Sequence, residues 1–185
     1  MDELVRIGEQ IERKIGRPLE VISGGGTTAI PLILGDTMAE KVNFLRVGEA
    51  ILLAQDLKDE WGHILKECSQ DTFNLQMEII EIKDKATYPI GEIACDGFGQ
   101  KNQYEDKGIR KRALLAGGKV DYGFPDMLIP KLKGVSIVGA SSDHTIVDIE
   151  DVEVDLKIGD ILDFQLTYAT LVYGTSSADV DFKVV

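Results

Sequence analysis

The sequence predicts an α/β segment followed by an all-β domain, and the main evidence is a change of hydrophobic period near residue 70. Before that point, amphipathic stretches alternate with short apolar runs, which is the order of parallel βα units. After it, apolar and polar residues alternate in several runs separated by turn residues, as in half-buried strands. The α/β segment has too few elements to close a sheet, so we expect it to be the end of a larger α/β domain.

The α/β segment begins with a helix and contains two short strands. Apolar residues at spacings of three and four predict a helix over residues 2–16, with a stop at Gly16. Residues 19–23 form a short, mostly apolar run that leads into three glycines, which predicts a strand and a turn. A second strand is predicted at residues 43–47, and residues 48–55 begin another helix.

The second half has the strict alternation of a sheet with one buried face. Phe73, Leu75, Met77 and Ile79 alternate with polar neighbours and predict the first strand. Further strands are predicted at residues 112–116, 135–138, 145–149, 161–167 and 181–185. We expect three regions: residues 1–55 with the α/β pattern, a junction at 56–71, and a small β-barrel or sandwich at 72–185.

The charge of the chain excludes some classes of partner. Twenty basic against 32 acidic residues give a net charge of −12, which argues against nucleic acid or an anionic membrane as the main partner. No apolar stretch suits a membrane span, and the N-terminus lacks the plan of a signal peptide, so we expect a cytoplasmic protein. Cys68 and Cys95 cannot form a disulfide framework and have no flanking metal ligands, so we expect no metal site.

A run of glycines and threonines is the first candidate for a ligand site. Residues 24–28, three glycines followed by Thr27 and Thr28, directly follow a predicted strand, where backbone N–H groups and hydroxyls can bind a phosphate. The run matches neither the dinucleotide fingerprint nor a Walker loop. A flexible turn with a threonine N-cap explains the pattern equally well.

Arg46 and Gly48 form the second candidate. An arginine within an apolar strand is costly unless it is paired or faces a polar site, and a glycine two residues later allows close approach of a ligand. The alternative is an arginine at a strand end that reaches solvent. Both candidates follow neighbouring parallel strands, whose carboxyl ends lie at one edge of a sheet, so together they predict a phosphate site.

Several separated blocks of the sequence match one known family. The blocks are residues 19–28 (LEVISGGGTT), 43–53 (NFLRVGEAILL), 71–73 (DTF), 78–83 (EIIEIK), 89–92 (PIGE), 108–113 (GIRKRA), 137–144 (IVGASSDH) and 159–162 (GDIL). They resemble the alanine racemase family of pyridoxal-phosphate enzymes, and in particular its ornithine/alanine racemase branch. The resemblance implies the last two βα units of a (β/α)8 barrel, at residues 1–55, followed by the C-terminal β domain.

The resemblance also implies a cofactor, pyridoxal 5′-phosphate (PLP), and the residues that bind it. Its phosphate would be held by Gly25, Gly26, Thr27, Thr28, Gly48, Glu49 and Tyr168. Arg46 would face the pyridine nitrogen. Because a guanidinium keeps its proton, that nitrogen would stay unprotonated and the cofactor would withdraw electrons less strongly, which suits racemisation.

The catalytic residues implied by the resemblance match the pattern of the family less closely than the cofactor-binding residues do. Where the family has a tyrosine that serves as the second acid/base, this chain has Lys119, and Tyr122 lies three residues further on. Asp143 matches a segment near the substrate carboxylate. The altered position leaves the substrate open, because the pocket could take a longer, basic side chain than that of alanine.

The expected activity is that of a PLP-dependent amino-acid racemase, which removes the α-proton and returns it on the opposite face. The family is expected to be homodimeric, with the site shared between subunits. The lysine that holds the cofactor covalently lies near the start of the barrel in this family, outside these 185 residues, so the chain alone is expected to be inactive. The alternative is a non-catalytic β module for dimerisation or for carrying PLP.

Overall fold

The chain forms two compact units, Met1–Thr72 and Phe73–Val185, in a computed structural model that describes residues 1–66, 68–92, 94–95, 99 and 104–184.

The first unit opens with the predicted amphipathic helix, α1 (Asp2–Ile15). It ends at Gly16, which takes a left-handed conformation and donates its N–H to the carbonyl of Glu12, a usual helix stop. The buried position of α1 is Gly8, where an added Cβ would lie 3.3 Å from Cδ1 of Ile22. The helix therefore packs closely against the segment of the first predicted strand, through its glycine.

The two predicted strands of this unit are shortened to a single parallel bridge between Ser23 and Phe44. The prediction of strands at 19–23 and 43–47 was therefore too long. The reason is Asn43, whose side chain accepts from the N–H of Ile22 (2.9 Å) and donates to the carbonyl of Glu20 (2.8 Å). An amide side chain thus satisfies backbone groups that a regular ladder would pair with a neighbouring strand.

Four short helical segments complete the first unit. They are a 3₁₀ turn at Thr27–Ala29, α2 (Ile30–Leu34), α3 (Glu49–Leu52) and α4 (Gln55–Asp59). The helix predicted at 48–55 is interrupted at Ala54, which has a positive φ of 53°. Leu53, Ala54 and Leu57 are almost completely buried and form the apolar centre of this region.

The second unit is a nearly closed antiparallel barrel of six strands, which confirms the predicted fold class. The strands are β1 (Asn74–Ala86), β2 (Ile109–Ala116), β3 (Ile129–Pro130), β4 (Ser136–Ala140), β5 (His144–Asp148) and β6 (Ile161–Gln165). Their order in the sheet is β3-β6-β1-β2-β5-β4. Because alternate side chains point to one face, Met77, Ile79, Leu115, Val147 and Phe164 are buried together, as the period of two predicts.

Two short helices flank the strands, α5 (Lys119–Tyr122) and α6 (Tyr168–Gly174). The strand predicted at 161–167 ends at Gln165, and Tyr168 begins a helix instead of continuing a strand. The N–H of Thr167 is accepted by the Thr170 hydroxyl at 2.9 Å, which starts α6. The strand predicted at 181–185 is not formed over residues 181–184, and Val185 lies outside the described residues.

Candidate functional site

The glycine run forms a tight loop between the parallel bridge and the 3₁₀ turn. Gly24 donates to the carbonyl of Phe44 (2.9 Å), and Arg46 donates to the carbonyl of Gly25 (2.7 Å). Gly25 has a φ of +111°, a conformation that side chains disfavour. A Cβ on Gly26 would lie 2.9 Å from the carbonyl oxygen of Arg46. The glycines therefore allow this loop to pack directly against the backbone of the segment that carries Arg46.

A second loop, residues 48–50, is tied to the first through Thr27. The Oγ1 of Thr27 accepts a hydrogen bond from the N–H of Ala50 at 3.2 Å. Thr27 opens the 3₁₀ turn, and Glu49 opens α3, so each loop leads into the first turn of a helical segment. The predicted association of the two glycine-bearing segments is therefore present in the fold of the first unit.

The donors of these two loops fit a phosphate group. Within the described part of the chain, the N–H groups of Thr27, Thr28, Gly48 and Glu49 donate to no other group, as first-turn amides commonly do. Several unused N–H groups and two threonine hydroxyls are the chemistry that binds an oxyanion without a metal. The residues present therefore fit the phosphate of the implied cofactor.

Glu49 contributes a buried carboxylate beside these donors. Its side chain accepts from the N–H groups of Gln55 (2.7 Å) and Asp56 (3.3 Å) through Oε1. The residue is only 6% exposed, and among the described residues its Oε2 has no hydrogen-bond partner. Sequence reasoning assigned only the backbone of Glu49 to the site and missed the role of its side chain in holding α4.

Arg46 lies next to the glycine loop through its backbone, while its side chain is exposed. No ion pair joins its guanidinium to another described residue. It lies beyond the parallel bridge and outside any assigned strand. The prediction that Arg46 lies within a strand is therefore wrong, because the strand is shorter than predicted.

In the second unit, Lys119 and Asp143 lie on adjoining segments. The N–H groups of Lys119 and Val120 donate to the carbonyls of Ser141 (2.9 Å) and Ser142 (3.0 Å), so the first turn of α5 sits on the turn that carries Asp143. Lys119 is partly buried and Asp143 is exposed. The Ser142 hydroxyl donates to the Asp143 carboxylate at 2.6 Å. The fold thus brings together two sequence-distant backbone segments, one carrying Lys119 and the other Asp143.

Tyr122 does not share this position, because it is a core residue with no exposed surface. Its hydroxyl is hydrogen-bonded to the hydroxyl of Thr145, which in turn donates to the carbonyl of Gly117 (2.7 Å). Burial raises the pKa of Tyr122, and the hydrogen bond with Thr145 only partly opposes this. A buried phenol is unsuited to acid/base catalysis on a substrate, so the structure does not support the assignment of Tyr122 as a catalyst.

Tyr168 lines an apolar groove between α5 and α6. The groove has a volume of about 580 Å³, and its walls include Val120, Phe124, Val172 and Tyr173. The rings of Phe124 and Tyr173 meet edge to face with centroids 6.2 Å apart. Tyr168 is 42% exposed at the first position of α6. Lys119, Asp143 and Tyr168 thus all belong to the region around α5 and α6, whereas the other cofactor candidates belong to the first unit.

The described ranges also bear on two other kinds of interaction, with metal ions and with membranes. No group of three or more His, Cys, Asp or Glu residues there is arranged to hold a metal ion. None of the helices in the same ranges has both the length and the apolarity needed to cross a bilayer. Cys68 and Cys95 are free and exposed.

Comparison with known proteins identifies relatives along the whole chain. It is 39% identical over 185 residues to the ornithine racemase of Acetoanaerobium sticklandii, covering all of this chain and 52% of the relative. It is 39% identical over 178 residues to the lysine racemase of Thermotoga maritima, covering 96% of this chain and 49% of the relative. No family model matches the sequence.

A solved structure supports the same grouping at the level of the fold. The alanine racemase of Bartonella henselae, with covalently bound pyridoxal phosphate, superposes with a TM-score of 0.61 at 15% identity. The match covers 95% of this chain and 50% of that one. Together with the curated relatives, this fold places the chain as the C-terminal portion of an alanine-racemase-like protein, and the predicted resemblance to this family is confirmed. Its relatives with higher identity are the ornithine and lysine racemases, and the chain spans about half of their length.

Proposed function

We propose that the full-length protein is a PLP-dependent racemase of amino acids, and that diamino acids such as ornithine or lysine are its substrates. The observation that carries the proposal is the Thr27–Ala50 hydrogen bond, because it joins two loops whose unused N–H groups suit a phosphate. The 39% identity with two racemases along the chain supports the same conclusion.

The first unit would hold the cofactor phosphate. Thr27 and Thr28 offer hydroxyls and backbone donors, and Gly48 and Glu49 add two further N–H groups. Gly25 and Gly26 take part by leaving space, since a side chain at either position would strain the loop or meet the Arg46 carbonyl. Tyr168 would add its hydroxyl to the same phosphate.

Arg46 would face the ring nitrogen of the cofactor. When bound, PLP withdraws electrons from an attached amino acid and makes its α-proton removable. A guanidinium holds its own proton firmly, so Arg46 would leave the ring nitrogen without one and moderate this withdrawal. Its exposed side chain, with no ion pair to the described residues, is available for this contact.

Lys119 would act as the second acid/base by taking or returning the α-proton at its amine. Lys119 stands where the resemblance places the acid/base tyrosine of the family. Asp143, on the adjoining turn, would orient the substrate at the edge of the pocket. The net charge of −12 would favour the approach of a cationic diamino acid over an anionic one.

The proposal includes a cytoplasmic homodimer in which each active site is shared between subunits. Its test is incubation of the full-length protein with PLP and separate samples of L-ornithine, L-lysine and L-alanine, followed by chiral chromatography. We expect equal amounts of the two enantiomers from at least one diamino acid, and loss of this activity in Lys119→Gln. Bound PLP with no racemisation of any of the three would instead favour the non-catalytic module.

A further inference from the structure

The side chain of Glu49 is tied into the first unit more firmly than a surface acid would be. Oε1 receives the first two N–H groups of α4, from Gln55 and Asp56, while the backbone carbonyl of Glu49 accepts from Leu53 (2.8 Å) and Ala54 (3.2 Å). Glu49 therefore holds both sides of the turn in which Ala54 adopts its positive φ.

The loop of residues 48–50 is consequently anchored at two points. On one side, the N–H of Ala50 is bound by Thr27, and on the other, the Glu49 carboxylate is bound to α4. The N–H groups of Gly48 and Glu49, next to these anchors, donate to no described residue. The two anchors thus fix the orientation of the Gly48 and Glu49 N–H groups without forming hydrogen bonds with them.

A carboxylate at this position has an evident electrostatic cost. Glu49 is only 6% exposed, and its Oε2 has no hydrogen-bond partner among the described residues. An anion bound at the loop would add repulsion. The Glu49 side chain reaches from α3 to α4 and offsets part of this cost. It pairs two first-turn N–H groups of α4 that have no partner within the helix.

We propose that Glu49 is a positioning residue whose side chain holds the Gly48 and Glu49 N–H groups in place for the phosphate of the cofactor. The inference rests on the proposed function, since it takes PLP as the ligand. It follows that the length of the side chain matters more than its charge, and that Glu49 favours PLP over pyridoxal, which lacks the phosphate.

The test is the dissociation constants of PLP and pyridoxal, measured by absorbance titration of the full-length protein and its variants. Glu49→Asp keeps the charge but shortens the reach, so we expect PLP to bind about tenfold more weakly, equivalent to losing one hydrogen bond to a charged group. Glu49→Gln keeps the reach and should stay within about threefold of the wild type. Binding of pyridoxal should change less than about threefold in both variants.

Glu60→Gln is the matched control, because this exposed acid follows α4 and contacts neither loop. Equal weakening of PLP and pyridoxal in Glu49→Asp would overturn the inference and indicate a general role in folding. Unchanged PLP binding in Glu49→Asp would overturn it as well. If the wild type itself binds PLP no more tightly than pyridoxal, the phosphate site of the proposed function fails, and the role of Glu49 fails with it.

Discussion

Thr27 links two loops through a single side-chain oxygen, and this makes it sensitive to a substitution that preserves shape. Its Oγ1 accepts from Ala50, and the same hydroxyl is proposed to donate to the cofactor phosphate. A hydroxyl can do both, because it carries one proton and two lone pairs. At this scale, the proposed site depends on the chemistry of one atom and not on the volume of the residue.

Thr27→Val should therefore weaken PLP binding at nearly constant volume. We expect the dissociation constant of PLP to rise about tenfold, because one phosphate contact is lost and the Ala50 N–H is left unpaired. Thr37→Val is the matched control, since Thr37 is exposed and bonds only locally to Leu32. An unchanged affinity in Thr27→Val, measured by absorbance titration, would remove Thr27 from the phosphate site.

For Tyr122 we expect the opposite result: its substitution should lower the stability of the fold but leave catalytic activity unchanged. Thr145 donates its proton to Gly117, so the Tyr122 hydroxyl must be the donor in the pair. Tyr122→Phe should lower the free energy of unfolding by about 1–2 kcal/mol, as measured by urea denaturation. The turnover number of the full-length enzyme should stay the same. A large fall in turnover with intact stability would restore Tyr122 as a catalyst.

The raised pKa of Tyr122 also makes the stability of the fold depend on pH. The folded state disfavours the phenolate, so this contribution to stability is complete below the ordinary value of 10.0 and is lost as the pH rises through the higher folded value. Urea denaturation between pH 9 and 11 should show a decline that is weaker in Tyr122→Phe. Parallel declines in the two proteins would contradict the assignment.

At the scale of elements, α5 is held to the β4–β5 turn by a glycine. A Cβ on Gly118 would lie 2.3 Å from the carbonyl oxygen of Ser142 and 2.5 Å from the nitrogen of His144. These backbone atoms cannot move without breaking the hydrogen bonds that seat Lys119. The position of the proposed acid/base therefore depends on the absence of a side chain one residue earlier.

Gly118→Ala should lower the free energy of unfolding by about 2 kcal/mol or more, because the overlap is with backbone. Gly139→Ala is the matched control, since nothing lies within 4 Å of a Cβ built there on β4. We expect that control to change stability by less than about 0.5 kcal/mol. Equal effects of the two variants in thermal denaturation would show that α5 is not seated in this way.

Strands β2 and β5 are joined by an ion pair between Arg110 and Asp148. The guanidinium contacts both carboxylate oxygens, at 2.7 and 3.0 Å, and the Asp148 side chain is 9% exposed. Burial alone would raise the pKa of Asp148, but the hydrogen bonds from Arg110 and from the N–H of Glu150 outweigh it, and the pKa is lowered.

The stability that comes from this pair should be lost in acid. Because the folded pKa of Asp148 lies below its ordinary value of 3.8, the contribution is present above that value and falls as the pH drops through the folded one. Asp148→Asn should lower the free energy of unfolding at pH 7 by about 2–3 kcal/mol, because hydrogen bonds to a charged group are lost. Its unfolding curves from pH 5 to 2 should also change less than those of the wild type.

Most strands of the second unit were predictable, because burial of one face leaves a period of two in the sequence. The two-residue strand β3 was not predicted, and the strand expected at 181–185 is not formed over residues 181–184. The end of β6 was not predictable, since the residues after Gln165 are apolar and β-branched like a strand, and α6 depends on a side-chain contact between Thr167 and Thr170. In the first unit, Asn43 replaces ladder contacts with its side chain. When side-chain contacts replace backbone contacts in this way, they leave no periodic pattern in the sequence.

The loops of the candidate site were foreseen better than its side chains. Consecutive glycines after an apolar run indicate a close backbone approach, and Gly26 makes one with Arg46. The burial of Tyr122 and of the Glu49 carboxylate depends on contacts with Thr145 and α4, which lie outside the local sequence pattern. Sequence spacing could therefore place the donors but not distinguish a core tyrosine from a reactive one.

At the scale of the whole molecule, two features bear on function. The chain spans about half the length of the ornithine and lysine racemases it matches, and its candidate residues are divided between two units. In the proposed enzyme, the first unit supplies the phosphate donors and Arg46, and the second supplies Lys119, Asp143 and Tyr168. The central claim is that these residues serve the removal and return of an α-proton.

The most direct test of that claim is proton NMR of L-ornithine incubated in D₂O with the full-length protein and PLP. We predict that the α-proton signal disappears as deuterium is incorporated, and that optical rotation falls to zero. Lys119→Gln should prevent the fall in optical rotation, because one of the two proton transfers that racemisation needs is then lost. An α-proton signal that persists in the wild-type sample, with PLP bound, would contradict the claim.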